Sequence, residues 1–464
     1  MALIKSISGI RGTIGGKPGT GLTPIDVVKF TTAYGAWVRK QGNNKKIIIG
    51  RDGRISGEMV RNLVAATLQG SGFDVVDLGW STTPTVEMAV KMENAGGGII
   101  LTASHNPKEW NALKLLNAEG EFLSGDDGQW ILDYADRDEA VYAPIDEIGS
   151  LRYDDSYIQK HIDAILAHPL VDVAAIRARN FKVVVDAVNS TGAISVPELL
   201  RAVGVTDIVV INAEVTGHFA HNPEPLAENL VGLCTEVRNT RAHLGIAVDP
   251  DVDRLCFVNE DGSLFGEEYT LVAVADYILS NRKGNTVSNL SSTRALRDVT
   301  EAMGGSYAAS AVGEVNVVRK MKETNAVIGG EGNGGIIVPE LHYGRDALAG
   351  IALFLTHLAK LDISMTQLRA SYPDYFISKN KIELQEGIDV QHIFGQIKKK
   401  YAGQPVNTED GLKIEFDKEW VHLRTSNTEP IIRVYSESKS EEMANQLALR
   451  IMNDIKSMMQ VTAS

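Results

Sequence analysis

Three aspartates follow an apolar stretch at a spacing typical of a metal site. Asp249, Asp251 and Asp253 stand at positions i, i+2 and i+4, so on an extended backbone their side chains share one face. Carboxylates held this close repel one another unless a cation neutralises them, and Mg²⁺ and Ca²⁺ prefer such oxygen ligands. A solvated acidic turn is the alternative, but the preceding strand and the following Arg254 favour a metal site. The segment is not an EF-hand, because it lacks Gly at the sixth position and Glu at the twelfth.

A second polar loop, residues 102–107, also follows four apolar residues. Its Ser104 is flanked by His105 and Asn106, and Lys114 comes soon afterwards. Serine is a weak nucleophile, so catalysis needs a neighbouring base, a metal or covalent loading of the hydroxyl. The residues alone are equally compatible with a helix N-cap, where Ser, Thr and Asn are favoured. The absence of a Gly-x-Ser-x-Gly pattern argues against an ordinary serine esterase.

Near the C-terminus an arginine-containing turn has the side chains that bind phosphate. Guanidinium groups give bidentate charge-assisted bonds, and short hydroxyl and amide side chains add small donors. The candidate phosphate ligands are Arg424, Ser426, Asn427, Thr428 and Arg433. A polar turn with surface arginines is the alternative interpretation. The Gly-rich stretch 329–335 around Glu331 would let backbone approach a ligand and accept bonds from sugar hydroxyls, but read alone it is equally typical of a plain loop.

The segments that must position these loops repeat one plan of strand, polar loop, helix and further strands. The repeated units begin at strands 46–49, 182–185 and 286–290 and close with strands 98–101, 244–248 and 326–328. Alternating strands and helices predict mainly parallel sheets whose ligands bind at the carboxyl ends of the strands. The polar loops 102–107, 249–254 and 329–335 each follow one of these closing strands. We therefore expect three similar α/β domains that face a central active-site cleft.

The pattern changes after about residue 379. Strands are predicted at 381–384, 412–416, 421–424 and 431–435, followed by an amphipathic helix over 440–459 with Met443, Leu447 and Ile451 on its buried face. This indicates a separate C-terminal α+β domain, entered through a hinge at 371–374, where Pro373 discourages helix continuation. The predicted domains are 1–152, 153–258, 259–374 and 375–464.

Bulk properties exclude several classes of protein. With 464 residues the chain exceeds the roughly 250–300 residues that one core can serve. The formal net charge of −13, without a basic stripe, argues against a nucleic-acid binder. Cys234 and Cys256 have no metal-type spacing and form no disulfide framework. No signal peptide and no apolar run of the ~20 residues that a spanning helix needs is visible, so a cytoplasmic protein without membrane partners is expected.

Taken together, the motifs resemble the α-D-phosphohexomutase superfamily, which includes phosphoglucomutases, phosphomannomutases and phosphoglucosamine mutases. The similarity runs from end to end and in order, through the segments 8–12, 102–107, 249–254, 331–335 and 424–430. It implies four domains, the first three alike and the fourth different. It also implies transfer of a phosphoryl group between two hydroxyls of a hexose phosphate, through a bisphosphorylated intermediate.

The resemblance also implies a role for each matching residue. Ser104 would carry the phosphoryl group, and Asp249, Asp251 and Asp253 would bind one Mg²⁺ together with an oxygen of that phosphoserine. Further active-site positions are matched by Arg11, His105, Arg254 and Lys114, the last a candidate general acid or base. Glu331 and Asn333 match the sugar-reading loop. The loop that holds the non-reacting phosphate is matched by Arg424, Ser426, Asn427 and Thr428.

Two departures from the family pattern bear on the sugar. Many relatives have Glu-x-Ser-Gly-His where this chain has Glu331-Gly332-Asn333-Gly334-Gly335, and the segment 313–316 is closer to forms found among phosphoglucosamine mutases. The first hypothesis is therefore a phosphoglucosamine mutase, monomeric or homodimeric. A broader phosphoglucomutase/phosphomannomutase is the alternative within the family. A metal-dependent phosphatase and a non-enzymatic sugar-phosphate sensor are the alternatives outside it.

Overall fold

A computed structural model describes residues 1–6, 9–42, 44–137, 139–385, 388–425 and 430–462. The chain forms two compact units. The first unit comprises Met1–Tyr277 and Asn333–Leu368, and the second comprises Ile278–Gly332 and Arg369–Ser464. The units are assembled from segments that are not contiguous in sequence. The boundaries of the four domains expected from the sequence remain a prediction.

The secondary structure alternates between strands and helices over most of the chain. The strands are β1 (Leu3–Ser6), β2 (Gly9–Thr13), β3 (Lys46–Arg51), β4 (Asp74–Trp80), β5 (Gly97–Leu101), β6 (Trp110–Leu116), β7 (Leu151–Tyr153), β8 (Lys182–Asp186), β9 (Asp207–Ile211), β10 (Leu244–Val248), β11 (Leu255–Asn259), β12 (Asn285–Asn289), β13 (Tyr307–Ser310), β14 (Ala326–Glu331), β15 (Gly335–Ile337), β16 (Phe376–Glu383), β17 (Val406–Asn407), β18 (Leu412–Phe416), β19 (Glu419–Thr425) and β20 (Ile431–Ser438). The helices are α1 (Pro24–Lys40), α2 (Gly57–Gly70), α3 (Thr83–Met92), α4 (Gly125–Asp136), α5 (Tyr157–Leu166), α6 (Val173–Ala178), α7 (Gly192–Ala202), α8 (Val231–Thr240), α9 (Glu267–Asn281), α10 (Ala295–Ala302), α11 (Glu314–Thr324), α12 (Ala347–Leu361), α13 (Met365–Ala370), α14 (Val390–Lys400) and α15 (Glu441–Thr462). The predicted strands and helices are confirmed, with ends that differ by a few residues.

The first unit contains two mixed sheets. Seven strands lie in the order β1-β2-β6-β5-β3-β4-β7, with parallel pairing among β5, β3, β4 and β7 and antiparallel pairing among the others. Four strands form the second sheet in the order β11-β10-β8-β9, in which only the β10–β11 pair is antiparallel. The central strands β5 and β10 are buried throughout, as expected for strands covered on both faces. Each of these strands delivers one of the polar loops at its carboxyl end.

The second unit contains a parallel arrangement and an antiparallel sheet. Strands β13 and β14 flank β12 in parallel, and the five strands β16-β20-β19-β18-β17 pair in antiparallel fashion. Helix α15 packs on the five-stranded sheet through Leu447 and Ile451, as predicted. The prediction that Met443 shares this face is wrong, because Met443 is 44% exposed. The next residue, Ala444, is fully buried.

Several helices were not predicted from the sequence, and of these α3 matters for the site. Thr82 accepts a hydrogen bond from the Thr85 amide (3.1 Å) and caps α3 at its N-terminus. Almost the whole helix is buried, so it shows no polar face that a periodicity could detect. None of the described helices has both the length and the apolar character needed to cross a membrane.

Candidate active site

Ser104 lies just beyond β5 in a loop that its neighbours hold in a strained conformation. The Thr102 hydroxyl donates to the Asp52 carboxylate (2.7 Å) and accepts from the Ser104 amide (2.9 Å). The φ angle of Ser104 is +50°, in the left-handed region that non-glycine residues seldom adopt. The serine hydroxyl donates to Oδ2 of Asp249 at 2.7 Å. The candidate nucleophile and the first residue of the aspartate motif are therefore in direct contact.

A buried arginine that the sequence analysis did not assign supports this loop. Arg54 is 1% exposed, and its guanidinium donates to the backbone carbonyls of Ser104, Asn106 (2.7 Å), Pro107 (2.7 Å) and Trp110 (2.9 Å). Its Nε donates to the Asp52 carboxylate at 3.0 Å, which balances the charge. Backbone carbonyls converging on one cation hold the serine loop in place.

The aspartate motif forms a tight loop after β10. Asp249, Asp251 and Asp253 are fully buried, and one ligand atom from each lies within 4.8 Å of the others. Asp249 Oδ1 accepts from the amides of Asp253 (3.2 Å) and Arg254 (3.1 Å), so the loop wraps around this carboxylate. The central Val252 has a φ of +63°, a strained value for a β-branched residue. Strain of this kind is concentrated at ligand-binding sites.

The donor set fits a hard divalent cation. Oδ1 of Asp251 and Oδ1 of Asp253 are buried and have no hydrogen-bond partner among the described residues. Leaving a buried polar atom unsatisfied costs about 1–3 kcal/mol, and more for a charged one. Burial, together with the other two carboxylates, raises the pKa of Asp249 well above its ordinary value. A cation bound to the three carboxylates would give the unpaired oxygens a partner and would offset the repulsion among the carboxylates.

Two basic side chains complete the charge balance around the aspartates. Lys114 on β6 donates to Asp251 Oδ2 (2.7 Å) and lies 3.4 Å from Asp253 Oδ2, and Arg345 donates to Asp253 Oδ2 at 2.6 Å. Burial alone lowers the pKa of Lys114, but the two carboxylates outweigh it and raise that pKa above its ordinary value. Burial likewise raises the pKa of Asp253, but Arg345 and Lys114 outweigh it and the pKa is lowered. Lys114 is therefore a cation. Arg345 has no sequence signal that marks it as a site residue.

His105 and Arg254 lie beside the serine. His105 Nδ1 is 3.4 Å from Ser104 Oγ, and burial, with Arg254 nearby, lowers the pKa of His105 to about 3. Its imidazole is therefore neutral at physiological pH. Arg254 donates to Oε1 of Glu224 at 2.9 Å, and His105 Nε2 lies 4.0 Å from the same oxygen. Glu224, in the loop between β9 and α8, is a further member of the site without a sequence signal.

Arg11 lies on β2, the strand next to β6. It pairs in register with Ala112, two residues before Lys114, so both side chains point to the same face of the sheet. Its Nε is buried without a hydrogen-bond partner in the described part of the chain, and burial lowers the pKa of the guanidinium. A buried donor without a partner is suited to an anionic ligand. Its role in the site remains a prediction.

The residues predicted to read the sugar are placed in different units. In the second unit, Glu331 ends β14 and is 4% exposed, and its Oε1 accepts from Asn289 (2.9 Å) and from the Gly313 amide (3.1 Å). In the first unit, Asn333 accepts from the Gly335 amide at 3.1 Å. Sugar binding by Glu331 and Asn333 stays a prediction.

The predicted phosphate clamp belongs to the second unit. Ser426, Asn427 and Thr428 lie outside the described residues. Arg424 and Arg433 are directly opposite each other on β19 and β20, and Arg424 Nε lies 2.7 Å from Asp410 Oδ2. Like charges facing each other across strands are destabilising unless a counter-ion is near. The pair is therefore suited to an anion.

Four family models match the chain in consecutive order. They are described as phosphoglucomutase/phosphomannomutase alpha/beta/alpha domain I at residues 3–141, domain II at 159–262, domain III at 266–375 and the C-terminal domain at 381–454.

Similar proteins and solved structures cover almost the whole chain. A phosphoglucomutase/phosphomannomutase of Thermococcus kodakarensis is 37% identical over 92% of this chain and 93% of its own. A phosphoglucosamine/phosphogalactosamine mutase of Sulfurisphaera tokodaii is 32% identical over 96% of this chain and 98% of its own. The crystal structure of a phosphoglucomutase/phosphomannomutase family protein from Burkholderia thailandensis is 26% identical, with a TM-score of 0.85 over 98% of this chain and 97% of that one.

Proposed function

Because the chain belongs to the phosphoglucomutase/phosphomannomutase family, we propose that it interconverts hexose 6-phosphates and hexose 1-phosphates with Ser104 as the phosphoryl carrier. The observation that carries the proposal is the contact between the Ser104 hydroxyl and Asp249, 2.7 Å apart. This contact places a single strained serine against three buried carboxylates. A serine esterase would instead place its hydroxyl against an effective histidine base, whereas the pKa of His105, 3.4 Å from Ser104 Oγ, is lowered to about 3.

The proposed reaction consists of two phosphoryl transfers. In the first, the bond between phosphorus and Oγ of phospho-Ser104 breaks as a bond from phosphorus to a substrate hydroxyl forms. The substrate hydroxyl loses its proton and the departing Ser104 Oγ gains one, so the product is a bisphosphorylated sugar and a free serine hydroxyl. In the second, the other phosphoryl group of that sugar returns to Ser104, which restores the phosphoserine and leaves the isomer. The main task of the protein is to stabilise charge on the transferred oxygens.

The site residues suit this charge stabilisation. Asp249, Asp251 and Asp253 would hold Mg²⁺ with an oxygen of the phosphoserine, and the ion would offset charge on the transferring group. Lys114 is held as a cation by two of the aspartates, so it is suited to stabilise an anion. His105 is neutral and can donate or accept a hydrogen bond next to Ser104 Oγ.

The second unit carries the residues proposed to hold the non-reacting end of the substrate. Arg424 and Arg433 face each other across two strands, and Lys381 on β16 is directly opposite Arg433 on its other side. Three cations therefore stand in a row over three adjacent strands, which matches the charge of a phosphate group. Glu331 and Asn333 are proposed to contact sugar hydroxyls.

Glucosamine 6-phosphate is the proposed preferred substrate, with glucosamine 1-phosphate as product. The similarity to the mutase of Sulfurisphaera tokodaii and the unusual 331–335 segment support this choice. A broader phosphoglucomutase/phosphomannomutase activity is the second candidate, which the similarity to the Thermococcus kodakarensis protein favours. We further propose a cytoplasmic monomer or homodimer that binds neither nucleic acid nor membranes.

Intact-mass measurement and peptide mapping test the phosphoserine. The purified protein, after incubation with a hexose 1,6-bisphosphate, is expected to gain the mass of one phosphoryl group on the peptide that contains Ser104. The Ser104→Ala variant is expected to gain no mass and to lose turnover. Normal turnover by Ser104→Ala, or steady release of inorganic phosphate without isomer formation, would reject the mutase proposal.

A substrate panel tests the sugar. Glucosamine, glucose and mannose 6-phosphates are compared by kcat/KM in a coupled assay at saturating Mg²⁺. A preference for glucose 6-phosphate of tenfold or more would establish the second candidate instead of the first.

A further inference from the structure

Two histidines and two carboxylates form a buried cluster in the first unit, separate from the aspartate loop. Asp346 Oδ2 lies 2.8 Å from His161 Nε2 and 3.1 Å from His342 Nε2, and His342 Nδ1 lies 3.1 Å from Glu87 Oε2. Each of these four residues is at most 2% exposed. Burying several ionisable groups is costly unless they are paired, so this cluster requires an explanation.

A proton on His342 balances the charge of the cluster. His161 Nδ1 also has a partner, the Thr85 hydroxyl at 3.0 Å, and Asp346 Oδ1 accepts from the Ala349 amide at 3.0 Å as the N-cap of α12. A doubly protonated His342 donates a hydrogen bond to Asp346 and forms an ion pair with Glu87 on its other side. Burial lowers the pKa of His342, but Asp346 and Glu87 outweigh it and raise the pKa to about 10. His342 is therefore a buried cation at physiological pH.

The two carboxylates that pair with His342 belong to segments that contact two different aspartates of the metal loop. Glu87 belongs to α3, and Thr83, one turn earlier on the same helix, donates from its hydroxyl to Asp251 Oδ2 at 2.6 Å and from its amide to the Asp251 carbonyl at 2.9 Å. Asp346 follows Arg345, which donates to Asp253 Oδ2 at 2.6 Å. The helix that holds Asp251 and the segment that holds Asp253 are thus joined through His342.

Helix α3 and the 342–346 segment pack tightly against each other. A Cβ atom added to Gly344 would overlap the Glu87 carboxylate and lie 2.9 Å from His342 Nδ1. The amide of Ala347 donates to the Val252 carbonyl at 3.3 Å, which ties the same segment to the strained centre of the metal loop. A change in the separation of α3 and the 342–346 segment would therefore be transmitted to the loop.

We propose that His342 is a positioning residue for the metal site. Its imidazolium, held between Glu87 on α3 and Asp346 on the following segment, sets the spacing of Asp251 and Asp253. It does so without touching the substrate or the metal. The inference rests on the proposed function, because it takes the three aspartates to be the Mg²⁺ ligands. Outer residues that orient metal ligands typically change metal affinity by about 10–100-fold when they are replaced.

Direct metal binding tests the proposal independently of turnover. Mn²⁺ binding is followed by electron paramagnetic resonance, and the Mg²⁺ concentration for half-maximal activity is measured in parallel. We expect His342→Gln and the near-isosteric Glu87→Gln each to raise the Kd for Mn²⁺ about tenfold or more. The double variant is expected to fall short of the product of the two effects, because both changes break one clamp. The kcat at saturating Mg²⁺ should stay within about threefold of that of the unmodified protein.

His357→Gln is the matched control. His357 is also a buried histidine of the first unit, and its Nε2 lies 3.2 Å from Asp276 Oδ2, but this pair does not adjoin the metal loop. We expect it to change the Kd for Mn²⁺ less than twofold, even if it lowers the melting temperature as much as His342→Gln.

Three results would overturn the positioning role. The first is an unchanged Kd for Mn²⁺ in His342→Gln and Glu87→Gln when the unmodified protein binds one Mn²⁺ and requires Mg²⁺; the proposed function would survive this result. The second is failure of the unmodified protein to bind Mn²⁺ or to require Mg²⁺, which would reject the proposed function as well. The third is stoichiometric zinc in the purified protein that is lost in His342→Gln, which would make His342 a metal ligand instead.

Discussion

Replacing Arg54 by lysine should inactivate the protein without removing any group that touches substrate. The Arg54 guanidinium makes four hydrogen bonds to backbone carbonyls of the serine loop and one to Asp52. A lysine ammonium has three donors at one point, so at least two of these five acceptors lose their partner. Hydrogen bonds to charged groups contribute about 1.5–3 kcal/mol each, so the loop would lose roughly 3–6 kcal/mol of support.

The loop is held in a strained conformation, so loss of this support should displace the Ser104 hydroxyl. A misplacement of about 1 Å costs on the order of 100-fold in rate. We therefore expect Arg54→Lys to lower kcat about 100-fold, while KM for the hexose phosphate stays within about threefold. The assay is isomer formation at saturating Mg²⁺, together with intact-mass measurement of the phosphoserine. The mass measurement separates slow transfer from failure to load the serine.

Arg39→Lys is the control for this prediction. Arg39 is also an arginine that donates to a backbone carbonyl, that of Ser71, and it lies over the Phe73 ring at the end of α1. It should leave kcat unchanged. If Arg54→Lys kept kcat within threefold and the same melting temperature as the unmodified protein, the proposed support of the serine loop by Arg54 would be wrong.

Three further predictions concern the aspartates, Lys114 and a buried lysine. Asp251→Asn should lower kcat at least about 100-fold and weaken Mn²⁺ binding, because it removes charge from a metal ligand; unchanged Mn²⁺ binding would contradict the assignment. Lys114→Met should lower kcat about 100–1,000-fold without weakening Mn²⁺ binding, because Lys114 is a cation that contacts two of the carboxylates. Calorimetric titration with Mn²⁺ checks this prediction, and weaker Mn²⁺ binding would refute it. In the second unit, burial lowers the pKa of Lys413 to about 8, despite Glu415 and Glu437 nearby, whereas an unfolded lysine has its ordinary pKa of 10.5. Between these pH values the unfolded chain binds more protons than the folded chain, so Lys413 should make the free energy of unfolding rise with pH from about 8 to 10.5. Denaturant unfolding of Lys413→Met should lack that rise. Identical pH slopes for the variant and the unmodified protein would contradict the prediction.

The sequence was sufficient to identify the site residues that lie close to one another along the chain. The i, i+2, i+4 spacing of Asp249, Asp251 and Asp253 predicted that their carboxylates lie together, and they do, although a tight loop with Val252 at a φ of +63° brings them together instead of an extended segment. The strands β5 and β10 could also be predicted, because a short run of consecutive apolar residues is a local pattern typical of a buried strand. Proximity of Ser104 to Asp249, 145 residues away, was expected only from the resemblance and the repeated plan, and the structure places them in contact.

No sequence pattern indicated that Arg54, Glu224, Arg345 or His342 contribute to the site. Arg54 acts on carbonyls about 50 residues away, and Arg345 acts on an aspartate 92 residues away. Helix α3 was missed because it is buried on nearly all sides and has no amphipathic period. Charged residues are common on protein surfaces, so their types alone do not distinguish a solvated side chain from one that supports a loop.

The sequence by itself thus determined which loops carry the reactive groups, because residue type and short-range spacing decide which side chains share a face. Only the tertiary structure decided what holds those groups in place. Burial, ion pairing and the packing of α3 against the 342–346 segment depend on contacts between distant parts of the chain. Such contacts set pKa values and positions through the local dielectric and the neighbouring charges, which no local pattern encodes.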